Sequence, residues 1–178
     1  MPSNKETLLQ QHIADFLESN HKYERLSENE LKDKEFHIID EHLLRFIKLT
    51  QKDKYESLVR NFGTDTDDEI LKAVKEETTK TALWLLMRNG VSVRGTKIEL
   101  FKPKPRSNTS SIQLENYENN ILSFKTEYRY NSLTDERIDL VIWLNGLPII
   151  VTEIKHEDEG QNVVDAIHYS FLNRDLKN

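Results

Sequence analysis

The chain reads as an α+β protein in which N-terminal helices pack on a core with a central mixed β-sheet. Three observations predict this. Apolar residues recur at helical spacing through the first half of the 178 residues; after Gly90 the period shifts to short strand-like runs; and two strongly apolar runs flank Asn145-Gly146 near the end. Helical and strand-like stretches are segregated along the chain, which is the pattern of α+β folds rather than of repeated βαβ units.

Taken in order, Thr7 to Ser19 sets Leu8, Leu9, Ile13, Phe16 and Leu17 on one helical face. The charge-rich stretch from Lys22 to Glu35 predicts a loop with a short helical turn. Ile39, Leu43, Phe46 and Ile47 form a second stripe over 38–50, and Tyr55, Leu58, Val59 and Phe62 a third over 52–62, with Gly63 as its stop signal. Thr66 and Glu69 have the spacing of a capping box, which predicts one long helix from Thr66 to Asn89-Gly90 whose apolar end, Ala82 to Met87, lies against the sheet. Glu76 and Glu77 sit on this helix, either as a solvated pair or as an additional acidic ligand. Val91 to Val93, Ile98 to Phe101 and Ile121 to Tyr130 read as strands. Between the last two lies a Pro- and Ser-containing loop carrying Lys102, Lys104 and Arg106. It reads equally as an arm that touches nucleic-acid phosphate or as a solvated loop. A helix is predicted to begin near Gln161.

The hairpin RIDLVIWLNGLPIIVTEIK, Arg137 to Lys155, organises the rest. Its apolar runs predict adjacent central strands covered on both faces. Asp139, Glu153 and Lys155 stand among these hydrophobes, and burying a carboxylate costs several kcal/mol unless it is paired or holds a cation. A two-residue turn at Asn145-Gly146 would set Asp139 opposite Thr152, on the other face from Glu153. One extra residue brings Asp139 to Glu153, so a bulge or widened turn is predicted at Leu147 and Pro148.

Asp139, thirteen intervening residues, then Glu153-x-Lys155 across a hairpin resembles the PD-(D/E)xK nuclease superfamily. The neighbouring residues carry a closer likeness. DLVIWLNGLPIIVTEIK, followed by Gly160-Gln161, Val164-Asp165-Ala166-Ile167 and Arg174-Asp175, resembles the N-terminal nuclease region of the R (restriction, motor) subunit of type I restriction–modification enzymes. FIKLTQ (46–51), LMRNGVSVRG (86–95), IELFKPKP (98–105) and YENN (117–120) extend the likeness upstream. Where that family usually has Gln-Tyr in the helix after the Lys, this chain has Tyr169-Ser170.

The resemblance implies an N-terminal helical extension over 1–66 and a PD-(D/E)xK core over 67–178, truncated at its C-terminal end, or the two as one compact unit. It implies a type I site-specific deoxyribonuclease, cytoplasmic, acting on double-stranded DNA with methyltransferase and specificity subunits. Asp139 and Glu153, with the carbonyl of Ile154, would hold Mg²⁺, which suits hard oxygen ligands. Lys155 would orient the attacking water and offset charge on the phosphate. Arg137, two residues before Asp139 on its strand, points to the same side, toward phosphate or toward Asp135 or Glu136 as an ion-pair partner.

Composition bounds these expectations. No cysteine is present, which excludes disulfides, thiolate zinc sites and cysteine nucleophiles. No apolar run approaches a membrane span, and there is no leader pattern at Met1 to Gln10, so the expected protein is soluble and intracellular. The sequence has no phosphate-binding GxxxxGK[ST] loop, so ATP would enter only through a motor region beyond Asn178. The six histidines show no paired-ligand spacing and read as surface or cap residues. Net charge is −6, yet residues 91–130 hold seven basic against four acidic side chains. Weak intrinsic DNA affinity follows, with partners bringing the duplex. The alternative readings are a catalytically inactive nuclease-like docking module and a stand-alone nuclease.

Overall fold

The computed structural model describes residues 4–31, 35–106, 110–131 and 136–154. The chain is α+β, with helices and a mixed central sheet. In order come α1 (Asn4–His21), β1 (Glu24–Arg25), α2 (Glu28–Leu31), α3 (Asp40–Thr50), α4 (Lys52–Phe62), α5 (Thr66–Thr78), α6 (Leu83–Asn89), β2 (Val91–Val93), β3 (Thr96–Ile98), α7 (Ser111–Glu118), β4 (Leu122–Arg129), β5 (Arg137–Leu144) and β6 (Leu147–Thr152). Four strands form one sheet in the order β1-β4-β5-β6, and β2 pairs antiparallel with β3. The helix expected near Gln161 and the Tyr169-Ser170 pair lie outside the described residues.

The contacts divide the chain into two compact units. One comprises the described residues of Met1–Leu26, Phe124–Ile142 and Ile150–Asn178. Its core gathers Ala14, Phe124, Leu140, Ile142 and Ile154, with Ile13, Leu17 and Tyr23 against them. The buried side of α1 keeps Ile13 and Leu17 of the expected stripe and adds Gln10 and Ala14, while Leu8, Leu9 and Phe16 are exposed. Phe16 instead stacks edge-on with His21, centroids 5.0 Å apart.

The other unit comprises Ser27–Ser123 and Trp143–Ile149. Its core is built from the stripes of α3, α4 and α5, joined by Leu86, Val91, Val93, Ile98, Leu100, Ile121 and Leu147. Buried Gln51, between α3 and α4, binds the Glu99 backbone at both atoms: its Nε2 donates to the carbonyl and its Oε1 accepts the N–H, each at 2.8 Å. The α2 turn has a start signal that the charge-rich sequence hides, since Ser27 gives both its backbone N–H and its hydroxyl to Glu30 Oε2 at 2.8 and 2.7 Å.

Two expectations for the helix after Gly63 are corrected. Thr66 does not cap: it is the first residue of α5, buried, and its hydroxyl donates to the Gly63 carbonyl at 2.8 Å. Nor is the helix continuous to Gly90, because α5 ends at Thr78 and α6 starts at Leu83. Thr78 and Thr79 turn their hydroxyls onto the carbonyls of Lys75 and Glu76, both at 2.7 Å, and such back-bonding competes with helix propagation. Of the apolar end, Leu86 enters the core whereas Trp84 is 67% exposed. Gly90 closes α6 with φ 73°, where a Cβ would sit 2.4 Å from the Ile98 carbonyl oxygen.

Candidate functional site

β5 lies between β4 and β6 in the sheet, and its run Leu140, Val141, Ile142, Trp143 is buried on both faces, as an interior strand requires. β6 departs from the expectation of a second covered strand. It is last in the order among the described strands, and Ile149, Ile150 and Val151 are exposed.

The turn between these strands takes two residues, Asn145 (φ 52°) and Gly146 (φ 81°), both left-handed as a type I′ turn requires. The turn itself is therefore not widened, and Leu147 and Pro148 are the first residues of β6. The physical reason is that the turn is anchored from all sides. Asn145 is fully buried; its Oδ1 accepts the Ile121 N–H at 2.7 Å, and its Nδ2 donates to the Leu100 carbonyl at 2.9 Å and to Asn120 Oδ1 at 3.0 Å. The Asn145 N–H donates to the Ile121 carbonyl at 2.7 Å, and the Gly146 carbonyl accepts the Ile39 N–H at 2.9 Å.

Asp139 reaches the Glu-x-Lys segment by another route. β6 ends at Thr152, and the half-buried Asp139 takes the Ile154 N–H onto Oδ2 at 2.6 Å. Ile154 buries its side chain in the core beside Leu140 and Ile142. The structure thus joins the acid of β5 to the Glu153-Ile154 peptide beyond the end of β6. Glu153 is half-buried, and Lys155 lies outside the described residues. Asp139 Oδ1 accepts no hydrogen bond from the described residues, and carboxylate and carbonyl oxygens are the donors a hard divalent cation takes, so in donor type the residues fit such an ion. Among the described residues, no three His, Asp or Glu side chains cluster as a metal set.

Arg137 approaches Glu127 of β4, Nη1 to Oε2 3.8 Å, while Glu136 accepts the Tyr130 hydroxyl at 2.7 Å. Glu127 is itself left-handed, φ 53°, in the middle of its strand. Lys102 is engaged within the fold, its Nζ 2.6 Å from Glu99 Oε2, and it is largely buried. Lys104 and Arg106 are exposed and line a cleft with Gln113 and Asn116 of α7. Glu76 and Glu77 belong to the other unit from Asp139; Glu77 pairs with Lys80 at 3.2 Å. One histidine corrects its surface reading: His42 is buried, its Nδ1 3.3 Å from the Ser123 hydroxyl. The Asn145 anchorage was visible in the sequence only as a turn signal, because nothing local announces partners 24 and 45 positions away.

The family model for the type I restriction enzyme R protein N terminus matches residues 3–175. Among curated proteins, the chain is 27% identical over 129 residues to the putative type I restriction enzyme MjaIXP endonuclease subunit of Methanocaldococcus jannaschii, an alignment covering 66% of this chain and 12% of that protein. No solved structure matches the chain. No helix among the described residues is long and apolar enough to cross a membrane.

Proposed function

The chain belongs to the family of type I restriction enzyme R protein N-terminal regions, and from this premise we propose that it is the Mg²⁺-dependent endonuclease part of such a subunit, hydrolysing DNA phosphodiester bonds on a PD-(D/E)xK-type core. The observation that supports it best is the 2.6 Å bond from the Ile154 N–H to Asp139, which holds the β5 acid at the Glu153-Ile154 peptide.

Asp139 and Glu153, with the Ile154 carbonyl, are the residues that would hold Mg²⁺. The ion, when bound, supplies Lewis-acid polarisation of the phosphate and lowers the pKa of water. The protein's own part is placement. The Ile154 N–H fixes one Asp139 oxygen and leaves the other without a hydrogen bond from the described residues. Lys155 orients the attacking water and offsets the charge that gathers on the phosphate. Arg137 stands on the Asp139 side of β5 as a phosphate contact, steadied by Glu127. Lys104 and Arg106 supply backbone contacts that carry no base readout. Site choice then belongs to specificity and methyltransferase subunits that bring the duplex, and ATP-driven motion to a motor region outside these 178 residues.

Calorimetric titration of Mg²⁺ or Mn²⁺ into the chain, and into Asp139→Ala and Glu153→Ala, tests the reading. Binding to the parent that disappears in both variants is expected, with Lys155→Ala still binding metal but losing cleavage in the assembled enzyme. Absence of binding in the parent, in the presence of DNA as well as without it, with both variants less stable, would turn the reading to an inactive docking module.

A further inference from the structure

Two clefts in the second unit share one wall, the segment Lys102-Pro103-Lys104, and differ in chemistry. The first, about 440 Å³, is bordered by Glu99, Arg106, Gln113 and Asn116 as well as by that wall. Its one acid is already neutralised. Glu99 Oε2 accepts Lys102 Nζ at 2.6 Å and Lys54 Nζ at 3.3 Å. Burial alone would raise the Glu99 carboxyl, but the hydrogen bonds and charges of these two lysines outweigh it and hold the group below its usual range. The remaining polar lining is two cations, Lys104 and Arg106, and two carboxamides that can donate. Such a lining favours an anionic acceptor.

The second cleft, about 360 Å³, is apolar in the main. Phe101, Tyr117, Leu122 and Leu144 form it with Pro103, and Glu118 and Asn120 also line it. Asn120 is committed there: its Nδ2 donates to the Lys102 and Tyr117 carbonyls, and its Oδ1 accepts the Lys102 N–H. These bonds fix the shared wall to the end of α7, so the two clefts keep their places relative to each other.

A ligand that occupies both must alternate an anionic group with a flat apolar one. Single-stranded nucleic acid has that alternation, phosphodiester then base, whereas a duplex keeps its base faces inside the stack. We propose that the Lys102-Pro103-Lys104 ridge is a single-stranded DNA subsite, with a phosphate between Lys104 and Arg106 and a base against Phe101 and Tyr117. The proposal rests on the DNA-acting reading above for the identity of the polyanion. It extends that reading from intact duplex to a separated strand.

The test is fluorescence anisotropy of the whole chain with a labelled oligothymidylate and with a duplex of equal length, at low salt and without divalent metal. The single strand is expected to bind more tightly than the duplex. Tyr117→Leu, which fills the volume without a ring, should weaken it by roughly five- to tenfold or more, and Tyr117→Phe should not. Joint Lys104→Ala and Arg106→Ala, both exposed positions, should reduce the slope of log affinity against log salt by about 1.4. Preference for the duplex, no binding of the single strand, or unchanged affinity and salt slope in these variants would each overturn the subsite. Because no metal is used, the two readings fail separately. A failed metal titration sinks the nuclease reading and leaves this result standing, while metal binding at Asp139 and Glu153 with no effect of the ridge variants sinks the ridge alone.

Discussion

Asn145 uses each polar atom of its side chain on a different stretch of backbone or side chain, from a left-handed conformation that few other residues adopt cheaply. Asn145→Ala leaves the Ile121 N–H and the Leu100 carbonyl buried without partners and adds the backbone cost. Chemical denaturation should register a loss of about 3–5 kcal/mol. At Gly146 the objection is steric, since a Cβ would lie 2.3 Å from the Ile39 carbonyl oxygen and 3.1 Å from the Leu43 nitrogen, at φ 81°. Gly146→Ala should therefore cost about 3 kcal/mol, and a melting temperature within a degree of the parent would contradict this packing. Both residues were legible as a turn, and Asp139 as a charge that needed a reason. The means by which Asp139 meets Ile154 was not, because strand register is a property of two segments, and the route past the end of β6 has no sequence signature.

Among the elements, α3, α4 and α5 are tied by one cluster. Asp67 accepts Lys48 Nζ at 2.6 Å and the Tyr55 hydroxyl at 2.8 Å, and Lys48 lies over the Tyr55 ring, 5.0 Å from its centroid. The hydrogen bond to Asp67 raises the Lys48 pKa above its ordinary value, against some opposition from burial. The pair is substantially exposed, so Asp67→Asn should cost at most about 1 kcal/mol, a fall of roughly 2–4 °C in melting temperature for a chain of this size. Helices with an apolar stripe were legible: α3 buries Leu43, Phe46 and Ile47 as read. α7 was not, and its residues explain why. Ile112 and Leu114 are both exposed, so SIQLENYE carries no periodic apolar face to detect. The break between α5 and α6 was equally hidden, since four residues of Thr-Thr-Lys-Thr look like a weak patch of helix until their hydroxyls find carbonyls.

For the molecule as a whole, stability should form a plateau bounded on both sides by groups whose pKa values move on folding. Burial lowers His37 from its usual 6.5, so below that pH the unfolded chain binds a proton that the folded chain resists, and stability declines. Glu30, hydrogen-bonded by Ser27, and Glu99, held by Lys102 and Lys54 against its burial, are both lowered from 4.5. Their contribution is complete above 4.5 and is lost as pH falls through their folded values. Lys48 is raised from 10.5, so its share is complete below 10.5 and is lost as pH climbs through its folded value. Melting temperature against pH should thus be flat from about 7 to 10 and fall at either end. His37→Gln should remove the first step of the acid decline, and a profile indifferent to it would refute that assignment. At this scale the sequence made the α+β class and the family legible, through segregated periodicities and the hairpin motif. The division into units was not, since β4, β5 and β6 are each a continuous run divided between the two units.

The Asn145-Gly146 turn also bears on how the protein ages. An asparagine followed by glycine is the pair most prone to deamidation, because the unhindered glycine nitrogen can attack the side-chain amide. In the folded chain that amide is buried and bound at both its oxygen and its nitrogen, so it cannot rotate toward the attack. Damage is then confined to molecules that have opened, and its rate follows the frequency of opening. Deamidation would place a carboxylate against the Leu100 carbonyl and Asn120 Oδ1, where donors are required, so a molecule altered while open is barred from closing again. Mass spectrometry of chain stored near its melting temperature should find the altered residue in the aggregated fraction and not in the folded one. The turn serves as a chemical clock that runs only while the protein is unfolded.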